Sequence, residues 1–60
     1  MSFISLQEVI DFAIEREETA YQLYKRAAEL TVSPASRKMF EELAQEEATH
    51  KDVFSNVDPN

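Results

Sequence analysis

Hydrophobic residues recur at helical spacing along two stretches of the chain, 5–31 and 34–55. At about 100° per residue, the apolar positions of the first stretch cover an arc of about 200°. This arc contains Leu6, Val9, Ile10, Ala13, Ile14, Ala20, Tyr21, Leu23, Tyr24, Ala27, Ala28 and Leu30. The second stretch carries a narrower arc of Met39, Phe40, Leu43, Val53 and Phe54. The pattern predicts two helices, and the first arc is too wide for one partner helix to cover.

Local signals mark where both predicted helices begin. Ser5 can cap the first helix with Glu8 three residues later, as in a capping box. Ser33 can cap the second, with Pro34 at its first position, where the missing N–H is tolerated. Glycine is absent, and only three residues, 31–33, connect the helices. A link this short predicts an antiparallel αα-hairpin, and we expect residues 1–60 to form one all-α domain.

The length and composition limit what such a hairpin can do alone. A 60-residue chain buries only about 60% of its unfolded surface and usually needs a metal, disulfides or a partner. The sequence has no cysteine, which excludes disulfides and thiolate ligands within this chain. We therefore expect a metal, a second subunit or both.

The charge balance narrows the class of partner. Twelve acidic residues against six basic ones give a net charge of -6, which argues against nucleic acid and anionic membranes. The N-terminus resembles no signal peptide, and no apolar run is long enough to span a membrane. We expect a soluble, cytoplasmic protein.

Three polar residues interrupt the apolar arcs. Glu17 lies near the middle of the first arc, and His50 lies near the centre of the second. Glu47 lies within about 40° of that centre, and Glu46 only slightly farther away. Glu47 is thus the first candidate and Glu46 the alternative. The other acidic residues of these helices are interpreted as a solvated face, among them Glu15, Glu18, Glu41 and Glu42.

The three residues suggest a metal site because buried carboxylates need compensating positive charge. No basic residue projects from the centre of either arc. Two hairpins related by a two-fold axis would bring together two copies each of Glu17, Glu47 and His50. Two divalent cations would neutralise these four carboxylates. Carboxylates with one imidazole per metal suit iron or manganese, and zinc is a further option.

The same residues resemble a known family. The run from Glu17 through Ala20 to Tyr24 is similar to the Glu-x-x-Ala-x-x-x-Tyr pattern of rubrerythrins and related ferritin-like proteins, and 47–50 is similar to their Glu-x-x-His. The resemblance implies that Glu17 is a terminal iron ligand, that Glu47 bridges two irons and that His50 is a terminal nitrogen ligand. It also implies that Tyr24 hydrogen-bonds near the ligands.

Two departures from the family pattern change the expectation. Family members usually carry two such helix pairs, whereas this chain has one, like the encapsulated ferritins, so the site needs a dimer. The cysteine-ligated iron domain of rubrerythrins is missing, and the targeting tail of encapsulated ferritins is not evident. We expect a homodimer or a higher homo-oligomer, built as a ferritin-like four-helix bundle with two irons per dimer.

The expected activity is oxidation of Fe(II) by dioxygen or peroxide, in iron storage or detoxification. Two alternatives stay open. The chain could be a non-catalytic helical oligomer, because Glu-x-x-His arises often by chance in charged helices. It could also be half of a larger ferritin-like domain.

Overall fold

The computed structural model describes residues 4–57, which form two antiparallel α-helices. Helix α1 spans Leu6–Leu30 and helix α2 spans Pro34–Ser55. The all-helical hairpin predicted from the apolar pattern is confirmed. Residues 1–3 and 58–60 of the predicted domain lie outside the described residues.

Capping contacts fix the helix ends. The Ser5 hydroxyl accepts a hydrogen bond from the backbone N–H of Glu8 at 3.1 Å, and the Ser33 hydroxyl accepts one from Ser36 at 3.3 Å. Thr31 has extended backbone angles and ends α1. Because Ser5 and Thr31 are caps, α1 is one residue shorter at each end than the predicted range 5–31.

The contact between the helices is built around small residues. Among the described residues, three side chains are buried: Ile10, Ala28 and Ala44 are 6%, 7% and 4% exposed. An alanine on each helix allows the two backbones to approach closely. Tyr24 and Phe40 add a stacked aromatic pair across the hairpin, with ring centroids 6.5 Å apart.

The hairpin leaves much of its apolar surface uncovered. Met39 and Val53, predicted to lie on the buried face of α2, are 48% and 60% exposed. Other large apolar residues of the helices are also exposed: Leu6, Val9, Phe12, Leu23 and Leu30. The physical reason is that α1 packs on the side of α2 that carries Ala44, so half of each apolar arc lacks a partner.

The two broad sides of the hairpin differ in chemistry. Two open grooves share Tyr21 and are lined largely by charged and polar side chains: Lys25, Glu29, Arg37, Glu41 and Gln45 in one, and Glu18, Lys51 and Asp52 in the other. At about 100° per residue, Leu23, Met39 and Val53 fall on the opposite side. One side therefore carries the grooves with most of these charged and polar side chains, and the other carries exposed apolar residues together with Arg16 and Glu46. Neither helix of residues 4–57 combines the length and apolarity needed to cross a membrane.

Candidate metal centre

Glu17, Glu47 and His50 converge between the two helices. Each offers one ligand atom, and these atoms all lie within 4.8 Å of one another. Glu17 comes from the middle of α1, while the i, i+3 spacing on α2 places Glu47 and His50 on one face. The three residues singled out by the apolar pattern thus form one cluster in the structure.

The imidazole is the most accessible member of this cluster. Nδ1 of His50 lies 3.4 Å from Oε2 of Glu17 and 4.0 Å from Oε1 of Glu47. The His50 side chain is 57% exposed, whereas those of Glu17 and Glu47 are 20% and 19% exposed. The prediction that His50 lies at the centre of a buried face is therefore wrong for a single hairpin, because α1 covers only one side of α2.

One carboxylate oxygen of the cluster makes no hydrogen bond. Oε2 of Glu17 is buried and has no hydrogen-bond donor among the described residues, although Nδ1 of His50 lies 3.4 Å from it. Leaving a charged acceptor unsatisfied is expensive, so native structures normally pair such an atom with a donor, a water or a metal ion. The site thus contains an oxygen in need of a positively charged or protonated partner.

The charge of Glu17 perturbs its neighbour. The pKa of Glu47 is raised, first because its protonated form can donate a hydrogen bond to Glu17, and then because of desolvation and repulsion by the Glu17 charge. The charge of His50 acts in the opposite direction. Two carboxylates held close together favour a bound cation or a shared proton between them.

A second cross-helix pair lies beside the cluster. Nζ of Lys51 lies 3.0 Å from Oε2 of Glu18, and Gln22 donates to Oε1 of the same carboxylate at 3.2 Å. These hydrogen bonds, that from Gln22 first, lower the pKa of Glu18. Glu18 lies on an exposed face as predicted, with a side chain that is 43% exposed, and its carboxylate is also paired with Lys51 across the hairpin. The sequence contains one indication of this contact: Glu18 directly follows Glu17, and Lys51 directly follows His50.

Two further predicted residues lie outside the cluster. Glu46, the alternative ligand, is exposed and is not among the converging groups in the described part of the chain. Tyr24 stacks on Phe40, and its hydroxyl makes no hydrogen bond to the unpartnered Oε2 of Glu17. Within one hairpin, the geometry ranks Glu47 above Glu46 and gives Tyr24 a packing contact.

The donor set fits iron. Two carboxylates and one imidazole supply oxygen and nitrogen ligands without thiolates, a combination that suits iron or manganese better than structural zinc. The unpartnered Glu17 oxygen is an atom that a cation would satisfy. Three ligand residues from one chain leave room for ligands from elsewhere.

The fold and this cluster define a helical-hairpin protein with a carboxylate and histidine candidate metal site. The model of the rubrerythrin family matches residues 4–57, so the chain belongs to the rubrerythrin family. Members of this family generally bind iron, and the match confirms the resemblance seen in the two motifs. Searches of curated proteins and of solved structures found no match to the chain.

Proposed function

We propose that two copies of this hairpin form a four-helix bundle around a di-iron site and oxidise Fe(II). The observation that carries the proposal is the buried Oε2 of Glu17, which makes no hydrogen bond although it belongs to a cluster with Glu47 and His50. A ligand cluster with an unsatisfied anionic oxygen is typical of a metal site.

The geometry of a single hairpin supports the need for a second copy. His50 is mostly exposed, and the apolar side near it carries exposed Met39 and Val53. A second hairpin packed on this side would cover these residues and supply a second set of ligands. The resulting dimer would hold four carboxylates and two imidazoles.

Each residue then has a role in holding the metals. Glu17 and His50 would each bind one iron, while Glu47 would bridge the two. Tyr24 lies on the same arc of α1 as Glu17 and would hydrogen-bond near the ligands. Bound iron supplies one-electron redox chemistry, and the chain supplies charge, geometry and a pocket shielded from water.

The reaction balances with peroxide as the oxidant. Two Fe(II) ions each lose one electron, and these two electrons with two protons reduce one hydrogen peroxide to two waters. Dioxygen is the alternative oxidant and would take the same two electrons with two protons to give hydrogen peroxide. Because metal binding requires ionised Glu47, whose pKa is raised, Fe(II) would compete with protons for this carboxylate. Such an activity suits iron storage or detoxification.

Two measurements test the proposal. Anaerobic Fe(II) titration with light scattering should show a dimer that binds two irons, and Glu17→Gln should reduce this stoichiometry, while the control Glu41→Gln, in the groove that Lys25 and Arg37 line, should not. On exposure to air or peroxide, the wild type should produce Fe(III) absorbance faster than Glu17→Gln. Equal rates would reject ferroxidase activity, leaving a non-catalytic oligomer. A stable monomer would reject the symmetric site and favour half of a larger domain.

A further inference from the structure

Glu18 and Lys51 form an ion pair between the helices at the height of the candidate metal centre. The Nζ to Oε2 distance is 3.0 Å, and the side chains are 43% and 40% exposed, respectively. Within residues 4–57, every other ion pair either lies inside one helix or includes His50. This contact is therefore the one lysine-to-carboxylate link between α1 and α2 in the described chain.

The Glu18–Lys51 ion pair lies where it can influence the positions of the metal ligands. Glu18 directly follows Glu17 on α1, and Lys51 directly follows His50 on α2. Consecutive residues on a helix point about 100° apart, so the pair lies to one side of the cluster while sharing its helical turns. A change in the rotation or height of α2 that broke this ion pair would also displace His50 from Glu17.

The cluster itself opposes close contact between the helices. The carboxylates of Glu17 and Glu47 come from different helices and repel each other when both are ionised. An attractive pair at the same height counteracts this repulsion. Gln22 restrains the Glu18 carboxylate further by donating to its other oxygen at 3.2 Å.

We propose that the Glu18–Lys51 ion pair is a positioning device that holds α1 and α2 in the rotation and height at which Glu17, Glu47 and His50 share a metal. This inference rests on the proposed function, since it concerns the same site. Neither residue touches the metal; both act through the ligands that precede them.

Removing the charge of Lys51 tests the inference, because a positioning role and a purely electrostatic role predict opposite changes in metal affinity. If Lys51 acted only through its charge, removing that charge near a cation site would tighten metal binding. If Lys51 positions α2, its removal should weaken binding. Exposed ion pairs contribute modestly, so we expect Lys51→Met to weaken binding by about two- to fivefold.

The experiment measures Co(II) binding to the full chain from its visible absorption, with dimer content checked by light scattering. The variants are Glu18→Gln, Lys51→Met, the double variant and Lys51→Arg, which keeps the charge and its donors. The matched control removes the exposed pair Arg26–Glu29, which lies within α1 at 3.1 Å and joins no second helix. Helix content and thermal unfolding of each metal-free variant show that it folds.

Positioning predicts weaker Co(II) binding and an altered absorption spectrum for Lys51→Met, wild-type behaviour for Lys51→Arg, and no effect of the Arg26–Glu29 control. The Glu18→Gln change should weaken binding less in the Lys51→Met background than in the wild type. Equal or tighter Co(II) binding by Lys51→Met would overturn this inference but would leave the proposed function standing. Absence of Co(II) binding by the wild type would instead overturn the proposed function, and the inference with it.

Discussion

His50 on α2 reaches Glu17 on α1, with Nδ1 of the imidazole 3.4 Å from Oε2 of the carboxylate. The contact joins two residues far apart in the sequence, and it is made by a side chain that is 57% exposed. An exposed imidazole contributes little to packing within one hairpin. Its position beside a buried carboxylate oxygen that makes no hydrogen bond is better explained by a role in binding.

The first prediction concerns this imidazole. His50→Ala should leave the helical content of the hairpin unchanged, because the side chain is mostly exposed, while weakening metal binding by at least about tenfold, as expected for loss of a ligand. Circular dichroism and anaerobic Fe(II) titration measure the two properties. Glu41→Ala removes an exposed charge from the other side of α2 and serves as the control. Unchanged Fe(II) affinity in His50→Ala would contradict the proposed site.

The second prediction is that the metal site reduces the stability of the metal-free protein. Glu47→Gln removes one of two repelling carboxylates and gives Glu17 a neutral amide donor. The thermal midpoint of the metal-free variant should therefore rise, while its affinity for Fe(II) should fall. Differential scanning calorimetry with and without metal separates these effects. A lower midpoint in the absence of metal would show that the two carboxylates do not repel each other in the folded protein.

The third prediction concerns pH. The pKa of Glu47 is raised above its ordinary value of 4.5, so between that value and the raised pKa the folded chain binds more protons at this site than the unfolded chain. The contribution of Glu47 to the free energy of unfolding must then decrease as pH rises through this interval. Glu18, whose pKa is lowered, contributes in the opposite sense, since its stabilisation is lost as pH falls through the lowered pKa.

Urea unfolding of the metal-free wild type and of Glu47→Gln at a series of pH values isolates the Glu47 contribution. The difference in unfolding free energy, wild type minus variant, should fall as pH rises above 4.5 and then level off. Saturating Fe(II) should reverse this slope, because metal binding requires the ionised carboxylate. A difference that does not change with pH would contradict the raised pKa.

The sequence was sufficient to predict the hairpin and the three converging residues. Helix ends depend on local contacts, and the capping roles of Ser5 and Ser33 can be read from their neighbours. Glu17, Glu47 and His50 stand out because each interrupts an apolar arc, and helical periodicity alone places the second and third on one face.

The sequence did not predict how far α2 is rotated about its own axis relative to α1. That rotation is set by tertiary packing, here by packing that buries Ala28 and Ala44, and periodicity carries no information about it. As a result, Val53 was expected to be buried but is exposed. Lys51 was assigned no partner in the sequence, yet it reaches Glu18 across the hairpin.

The fourth prediction tests the close approach of the helices. Ala44 is 4% exposed, and Ala44→Leu would force additional methylenes between the helices, destabilising the protein by about 1–3 kcal/mol. Ala35→Leu, the same substitution at an exposed position of α2, should have little effect. Chemical denaturation of both variants makes the comparison. If Ala44→Leu were as stable as Ala35→Leu, the helices would not be in close contact at this position.

The final prediction concerns the uncovered apolar side. If a second copy covers Val53, which is 60% exposed in the single hairpin, then Val53→Lys would place a charge inside the dimer interface. Dimerisation and Fe(II) binding should then be lost together, because each hairpin holds only half of the proposed ligands. Gln45→Lys adds the same charge in the groove that Lys25 and Arg37 line, about 80° around α2 from Val53, and should leave both properties intact. Sedimentation or light scattering, paired with Fe(II) titration at one protein concentration, tests the coupling. Loss of the dimer with full retention of iron binding would mean that a single hairpin completes the site, whereas loss of both in Val53→Lys alone would place the metal centre at the interface.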